Sequence, residues 1–227
     1  MTKKTKALVV LSGGQDSTTC LYWAKENFDE VLCITFDYNQ RHSIELDCAK
    51  KISEIAGVEQ EVIRMGEIFK GLSPLTDKTK SVEQYESADT LPGGLENTFV
   101  PGRNMMFLTV AANRAYVHEC DTIVIGVSQE DYGGYPDCRS EYIEQMEKAI
   151  EFALDKKIKI ATPLINLNKK QTVEMAKEFS GCMDALSYSH TCYNGVFPPC
   201  GKCHSCLLRL RGFEQAGETD PIYRRVS

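Results

Sequence analysis

Apolar residues along the chain keep two rhythms, and the switches between them outline its elements. Residues 6–11 form an apolar run rich in β-branched valine, and residues 17–27 follow with apolar positions at Cys20, Leu21, Trp23 and Ala24. That order predicts strand, turn and helix. Residues 30–36 read as a second buried strand, and 43–56 as a helix with Ile44, Ala49, Ile52 and Ile55 on its apolar side, stopped by Gly57. A third strand is expected at 59–65, then a long helix at 104–118 packing Met105, Leu108, Ala112 and Ala115. Residues 121–127 are the most apolar strand, 139–154 repeat the helical period, 159–163 make a short fifth strand and 169–179 a further helix. Asn168 and Gln171 are spaced as a capping box for that last helix.

Strands alternating with helices of this length predict an α/β fold: a Rossmann-like, doubly wound parallel sheet with ligands at the carboxyl ends of its strands. Between residues 66 and 103 the periodicity fails, punctuated by Leu91-Pro92-Gly93-Gly94 and Val100-Pro101-Gly102. So long an irregular stretch inside one domain marks a candidate lid.

Charge narrows the partners. The 227 residues carry 26 basic and 32 acidic side chains, a net charge of -6, which opposes broad attraction to nucleic acid or an anionic membrane. The basic start at residues 1–6 precedes an apolar run too short for an export segment, and no run approaches the roughly 20 residues that cross a bilayer. The chain is therefore expected to be soluble and cytoplasmic, with neither nucleic acid nor membrane as partner.

Chemistry enters at Ser12-Gly13-Gly14-Gln15-Asp16-Ser17, which lies between the first strand and the first helix. Two consecutive glycines let backbone amides close on a ligand, and the helix turns its positive end to the same place. This is an anion site suited to phosphate or pyrophosphate. It lacks the Gly-Lys-Ser/Thr ending of a Walker A loop and the third glycine of a dinucleotide fingerprint, so γ-phosphoryl transfer is disfavoured. A cradle holding the β and γ phosphates as leaving group instead directs a nucleophile to the α phosphorus. Asp16 is placed to hold a magnesium ion there or to cap the helix. Lys169, in the first turn of the 169–179 helix, either assists the phosphates or lies on the surface.

Ten cysteines divide into two sets. Cys20, Cys33, Cys48, Cys120, Cys138 and Cys182 are scattered through the patterned region as small core or surface residues. Cys192, Cys200, Cys203 and Cys206 are clustered, with seven, two and two residues between them and Pro198, Pro199 and Gly201 in the gaps. Such spacing converges four thiolates on one metal, zinc or an iron–sulfur cluster, and a closed all-sulfur sphere favours structural zinc. His190 and His204 flank the cluster as supporting or solvent residues rather than ligands. Residues 189–212 look too poor in apolar groups to order without metal. A division into a nucleotide-binding domain, 1–188, and a zinc-binding C-terminal segment packed on it, 189–227, is expected.

The loop Ser-Gly-Gly-Gln-Asp-Ser resembles that of the PP-loop ATP pyrophosphatases, whose fold is adenine nucleotide alpha hydrolase-like. Phe-Asp-Tyr-Asn-Gln-Arg-His at 36–42, Val-Pro-Gly-Arg-Asn at 100–104, Gly-Tyr-Pro-Asp-Cys-Arg at 134–139 and Thr-Cys-Tyr-Asn-Gly at 191–195 together resemble the 7-cyano-7-deazaguanine synthase family. With the terminal cysteines these motifs extend over nearly the whole chain. The resemblance implies an ATP-dependent ligase of queuosine biosynthesis that converts 7-carboxy-7-deazaguanine and ammonia to the nitrile. It also implies one structural zinc per chain and a homodimer.

Removing both carboxylate oxygens requires activating each, so adenylated carboxylate and adenylated amide intermediates are expected. The nucleotide-binding stretch is Leu11, Ser12, Gly13, Gly14, Gln15, Asp16, Ser17, Thr18, Thr19, Cys20 and Leu21. Arg103, before a helix, either offsets charge on the α phosphate or serves as a cap or surface group. Gln40, Arg41 and His42 are expected to line the substrate crevice. Asp137 is either the acceptor for the paired N1–H and 2-amino donors of a deazaguanine or a turn-stabilising aspartate.

Overall fold

The computed structural model describes residues 4–92, 94–129 and 135–225. Five parallel strands lie in the order β3-β2-β1-β4-β5: β1 (Lys6–Val10), β2 (Glu30–Asp37), β3 (Glu59–Arg64), β4 (Thr122–Val124) and β5 (Lys159–Ala161). β1 is central, pairing Val10 with Ile34 on one side and Val9 with Val124 on the other. Strand side chains alternate between two cores, as the pleat requires. Ala7, Val9, Leu11, Cys33 and Val124 pack against α1 (Gln15–Asn27), α2 (Ile44–Ala56), α5 (Lys169–Glu178), α6 (Cys182–Leu186) and α7 (His204–Gln215). Leu8, Val10, Ile34, Ile123 and Ile160 face α3 (Arg103–Val117) and α4 (Ser140–Leu154). Both faces are covered, which is why the strands read as continuous apolar runs.

The caps read from sequence are present. Gly57 closes α2 in the left-handed region (φ 67°), and the Asn168 side chain accepts the Gln171 N–H at the start of α5. The expected apolar stripes need two corrections. Ile55 is 41% exposed and Met105 49%, because α2 buries Ala49, Ile52 and Ser53, and α3 buries Asn104, Phe107, Leu108, Ala111, Ala112 and Ala115. Of the six scattered cysteines all are buried except Cys138, which is half-buried.

Residues 189–212, expected to need a metal to order, include part of a helix with buried apolar side chains. α7 packs on α5 and buries Leu207 and Leu208, and its Phe213 joins the core on that face of the sheet. The buried Arg209 guanidinium is held bidentately by Asp220 at 2.6 and 2.8 Å. The stretch expected as a lid is fastened at several points. Ser73 Oγ donates to Thr98 O at 3.0 Å, Tyr85 N donates to Lys202 O at 2.8 Å, and Val82 packs on the cysteine cluster. Gly93 and Gly134, named in the sequence motifs, lie outside the described residues, as do Met1, Thr2 and Lys3.

Among the described residues no helix is long and apolar enough to cross a membrane.

Candidate active site

A cavity of about 250 Å³ opens at the carboxyl ends of β1, β2 and β4. The strand order reverses between β1 and β4, so this is the topological switch point of the sheet. Its floor is the phosphate loop. Ser12 Oγ and Ser17 Oγ lie 3.0 Å apart, Gly14 N donates to Ser12 Oγ at 3.3 Å, and Ser17 Oγ donates to Gly14 O at 3.2 Å. These bonds fold the loop back on itself and leave the first-turn amides of α1 facing the cavity, as helix geometry dictates.

Two glycines make the close packing possible. Gly13 adopts φ +91°, and a Cβ there would meet Glu45 O at 2.3 Å. A Cβ on Gly126, just after β4, would lie 2.9 Å from Asp16 C and 3.0 Å from Ser17 N.

Of the loop residues, Leu11, Ser12, Gly14, Gln15, Asp16 and Ser17 line the cavity. Thr18, Thr19, Cys20 and Leu21 are fully buried behind it, with Thr18 Oγ1 donating to Gly14 O at 2.8 Å and Thr19 Oγ1 to Gln15 O at 3.1 Å. Their place is to hold the helix start. Asp16 and Lys169, 153 positions apart, meet: Lys169 Nζ stands 2.6 Å from Asp16 Oδ2. Asp16 Oδ1 is buried without a hydrogen-bond partner, which leaves one carboxylate oxygen for a hard cation. Lys169 is held close by Gly212 of α7, where a Cβ would fall 2.7 Å from Lys169 Cβ.

The opposite wall is aromatic. Phe36 and Phe107 stack at 4.3 Å with an interplanar angle of 8°, Tyr38 leans on Phe107 at 5.4 Å, and Tyr135 and Tyr193 complete the lining. Arg103 lies half-buried among them. Burial alone would lower its guanidinium, but Tyr38 and Asp137 outweigh this and hold it above its ordinary value, so it stays charged. Arg103 Nε has no partner. Asp137 is buried but does not line the cavity; its Oδ2 accepts the Asn104 N–H at 3.3 Å. Burial pushes its carboxyl up, against the pull of Arg103.

Gln40 and His42 line the cavity. Gln40 uses its amide locally, Oε1 accepting from Tyr38 N at 3.0 Å and Nε2 donating to Phe36 O at 3.3 Å. Arg41 points away, donating to Pro74 O at 2.8 Å, to Asp77 O at 3.2 Å and to Lys80 O. It fastens the 66–102 stretch instead of lining the crevice.

Sequence reasoning named the motifs that hold Phe36, Tyr38, Tyr135 and Tyr193 but not these residues singly. It missed Glu45, Phe107 and Gly126, which have no local signal because tertiary packing alone brings them to the cavity.

The four clustered cysteines converge as their spacing requires: their Sγ atoms all lie within 4.8 Å of one another, and Cys200 and Cys206 are 3.9 Å apart. Tetrahedral thiolates about 2.3 Å from one zinc ion would be separated by ~3.8 Å, so the donor set fits. Backbone N–H groups of Cys200 and Cys203 and the Asn194 amide donate to the sulfurs at 3.4–3.5 Å. Crowding splits the thiols: hydrogen bonds from Cys203 and Cys206 hold Cys192 far below its usual value, and the same bonds push Cys203 and Cys206 up.

His190 and His204 are buried outside the cluster, His190 Nε2 lying 2.9 Å from Val196 O and His204 Nδ1 2.9 Å from Glu96 Oε1. The segment entering the cluster roofs the phosphate loop, with His190 N donating to Gly13 O at 2.9 Å.

Comparisons agree with this picture. The fold is like that of a 4-thiouridine synthetase solved as an RNA complex with bound ATP, at a TM-score of 0.50 and 14% identity, covering 94% of this chain and 50% of that one. The chain is 50% identical over 224 residues to the 7-cyano-7-deazaguanine synthase of Chromobacterium violaceum, covering 97% of this chain and 94% of that protein. It is 43% identical over 214 residues to the enzyme of the same name from Bacillus subtilis, covering 94% and 95%. Residues 6–217 match the family described as queuosine biosynthesis protein QueC, and with relatives of this identity along nearly the full length, the chain belongs to that family.

Proposed function

We propose that the chain is an ATP-dependent 7-cyano-7-deazaguanine synthase, joining 7-carboxy-7-deazaguanine and ammonia through adenylated carboxylate and adenylated amide intermediates. The observation that carries this reading is one cavity with an anion-binding helix start on its floor and a stacked aromatic wall, bridged by a half-buried charged arginine.

A planar deazapurine fits the wall of Phe36, Phe107 and Tyr135. The loop amides from Ser12 to Ser17 hold the pyrophosphate of ATP, with Lys169 beside it. Asp16 holds magnesium, which offsets phosphate charge when bound. Arg103 stabilises negative charge as it develops between carboxylate and α phosphate. Asp137 is offered as acceptor for the N1–H and 2-amino donors.

Zinc is the metal proposed for Cys192, Cys200, Cys203 and Cys206, in a structural role, since four thiolates leave no open position. A homodimer and a cytoplasmic setting belong to the same reading, as do a nucleotide-binding domain at 1–188 with the metal segment 189–227 packed on it and free ammonia as nitrogen source.

The test is to incubate purified protein with ATP, magnesium, ammonia and 7-carboxy-7-deazaguanine and follow nitrile by mass spectrometry. Nitrile and AMP are expected. Folded, metal-loaded protein that yields neither nitrile nor amide would sink the reading.

A further inference from the structure

Forming an amide from an activated carboxylate and ammonia releases a proton, and so does collapse of the activated amide to a nitrile. The phosphate loop and Arg103 handle anions; neither accepts a proton. The cavity does contain an imidazole arranged for that task. His42 is 4% exposed and lines the cavity, and its Nε2 lies 3.2 Å from Glu45 Oε2, whose side chain is 12% exposed and also lines the cavity. An ionised carboxylate 3.2 Å from Nε2 favours the ring proton on that nitrogen of the neutral ring. The lone pair is then on Nδ1. That atom is buried and has no hydrogen-bond partner among the described residues.

The pair is rigidly tied to the place where the phosphates are expected. Gly13 of the phosphate loop presses on the Glu45 backbone, and Gly195, at φ +64°, packs so closely that a Cβ would lie 2.9 Å from His42 Cα. Tyr193 stands beside the ring at 6.2 Å. A carboxylate orienting an imidazole whose second nitrogen is bare is the arrangement of a general base with its positioning partner.

We propose that His42, oriented by Glu45, is the catalytic base that takes the proton from the nitrogen nucleophile; this rests on the adenylation reading above. In the amide-forming step the ammonia lone pair forms the C–N bond at the adenylated carboxyl carbon. The bond from that carbon to the bridging oxygen breaks, its electron pair leaving on AMP, and one nitrogen-bound proton passes to His42 Nδ1. Once Nδ1 has passed its proton to the departing AMP, the amide oxygen takes the second adenylyl group to give a protonated imidate; this loses AMP as the C≡N bond forms, one N–H proton going to Nδ1 and the other leaving on AMP.

His204 is the competing imidazole, since it lines the cavity and its Nε2 also lacks a partner. It is anchored to Glu96, whose other oxygen binds Thr98, and Thr98 in turn meets Tyr135 on the aromatic side. Of the two cavity imidazoles, His42 is the one whose partner carboxylate residue, Glu45, packs on the phosphate loop at Gly13.

The experiment separates adenylation from nitrogen attack. Substrate-dependent exchange of labelled pyrophosphate into ATP is measured without ammonia, and nitrile formation with it. For His42→Gln, ammonia-dependent turnover is expected to fall about 10²- to 10⁴-fold, at least about tenfold more than exchange falls. His42→Asn is carried in parallel, with melting and metal content checked, so that one folded variant suffices. Turnover near wild type, or exchange falling in step with turnover, would overturn the assignment. So would the same split appearing in His204→Gln and not in the His42 variants. Wild-type protein that shows no exchange at all would fail earlier, and would take the adenylation reading with it.

Discussion

Replacing Gly212 by alanine tests whether the helix contact that places Lys169 is as tight as it looks. In a solvent-facing helix interior this change stabilises by about 0.8–1 kcal/mol, through helix propensity alone. Here the sign should reverse. The new Cβ would lie 2.7 Å from Lys169 Cβ and 3.0 Å from Lys169 C and O, and two of those three atoms are backbone. Carbon contacts settle at about 3.5–4.0 Å, so α5 and α7 must separate by roughly 1 Å. Overpacking of this kind costs about 1–3 kcal/mol, which leaves a net loss of up to ~2 kcal/mol after the propensity gain. For a chain of this size that is a fall in Tm of up to about 8 °C. The same displacement carries Lys169 away from Asp16, now 2.6 Å from it, and a misplacement of about 1 Å at a reacting centre can cost ~100-fold in rate. Thermal unfolding and ATP–pyrophosphate exchange would be measured on one preparation. A variant that melts higher than its parent with undiminished exchange would refute the packing argument.

Two further outcomes are expected. Asp220→Ala strips the bidentate partner from the buried Arg209 and should cost about 3–5 kcal/mol in urea unfolding, far more than loss of an exposed ion pair; a change under about 1 kcal/mol would show that Arg209 finds another acceptor. Burial pushes the Cys33 and Cys182 thiols up to about 12, so near pH 8 only about 10⁻⁴ of each is thiolate, and reactivity grows only as pH rises toward that value. Alkylation of native protein at pH 8 should therefore spare both and reach the half-buried Cys138 before them, as peptide mapping would report.

What the sequence made legible were features whose cause is local. Ser12 to Ser17 announces an anion site because glycine geometry and a helix start do the binding in place, and Asn168 and Gln171 announce a helix because a cap is satisfied within one turn. Asp16 and Lys169 were each readable as candidates, but their pairing was not, since they stand 153 positions apart in the chain. α7 stayed hidden because Arg209 and Arg211 interrupt its apolar pattern, and burying Arg209 is tolerable only once Asp220 arrives from further along the chain. Arg41 misled for the opposite reason. Its neighbours Gln40 and His42 line the cavity, yet its own guanidinium satisfies carbonyls of the 66–102 stretch, whose path has no periodic signal. Ile55 and Met105 show the limit of periodicity itself: the angle at which a helix meets the sheet decides which apolar residue at the edge of the stripe is covered.

The cysteine cluster and the phosphate loop are described above as separate devices, yet the chain joins them through very few residues. His190 N donates to Gly13 O at 2.9 Å, the Thr191 side chain comes within 3.4 Å of where a Gly14 Cβ would stand, and Cys192 follows directly. A metal held by Cys192, Cys200, Cys203 and Cys206 would thus fix the roof of a loop that it does not touch. Removing it should release residues 190–195 and weaken ATP binding even with magnesium present. Ligand that binds only the native fold raises stability by RT ln(1 + [L]/Kd), about 2.7 kcal/mol at 100 Kd. A tenfold loss of affinity removes about 1.3 kcal/mol of that, or roughly 3–5 °C of the ATP-induced rise in Tm. The measurement is Tm with and without magnesium ATP, before and after chelation of the thiolate-bound metal followed by magnesium restoration. Metal-free protein that melts lower yet keeps the whole ATP-induced shift would show that the roof stands without its metal, and that the cluster supports the fold alone.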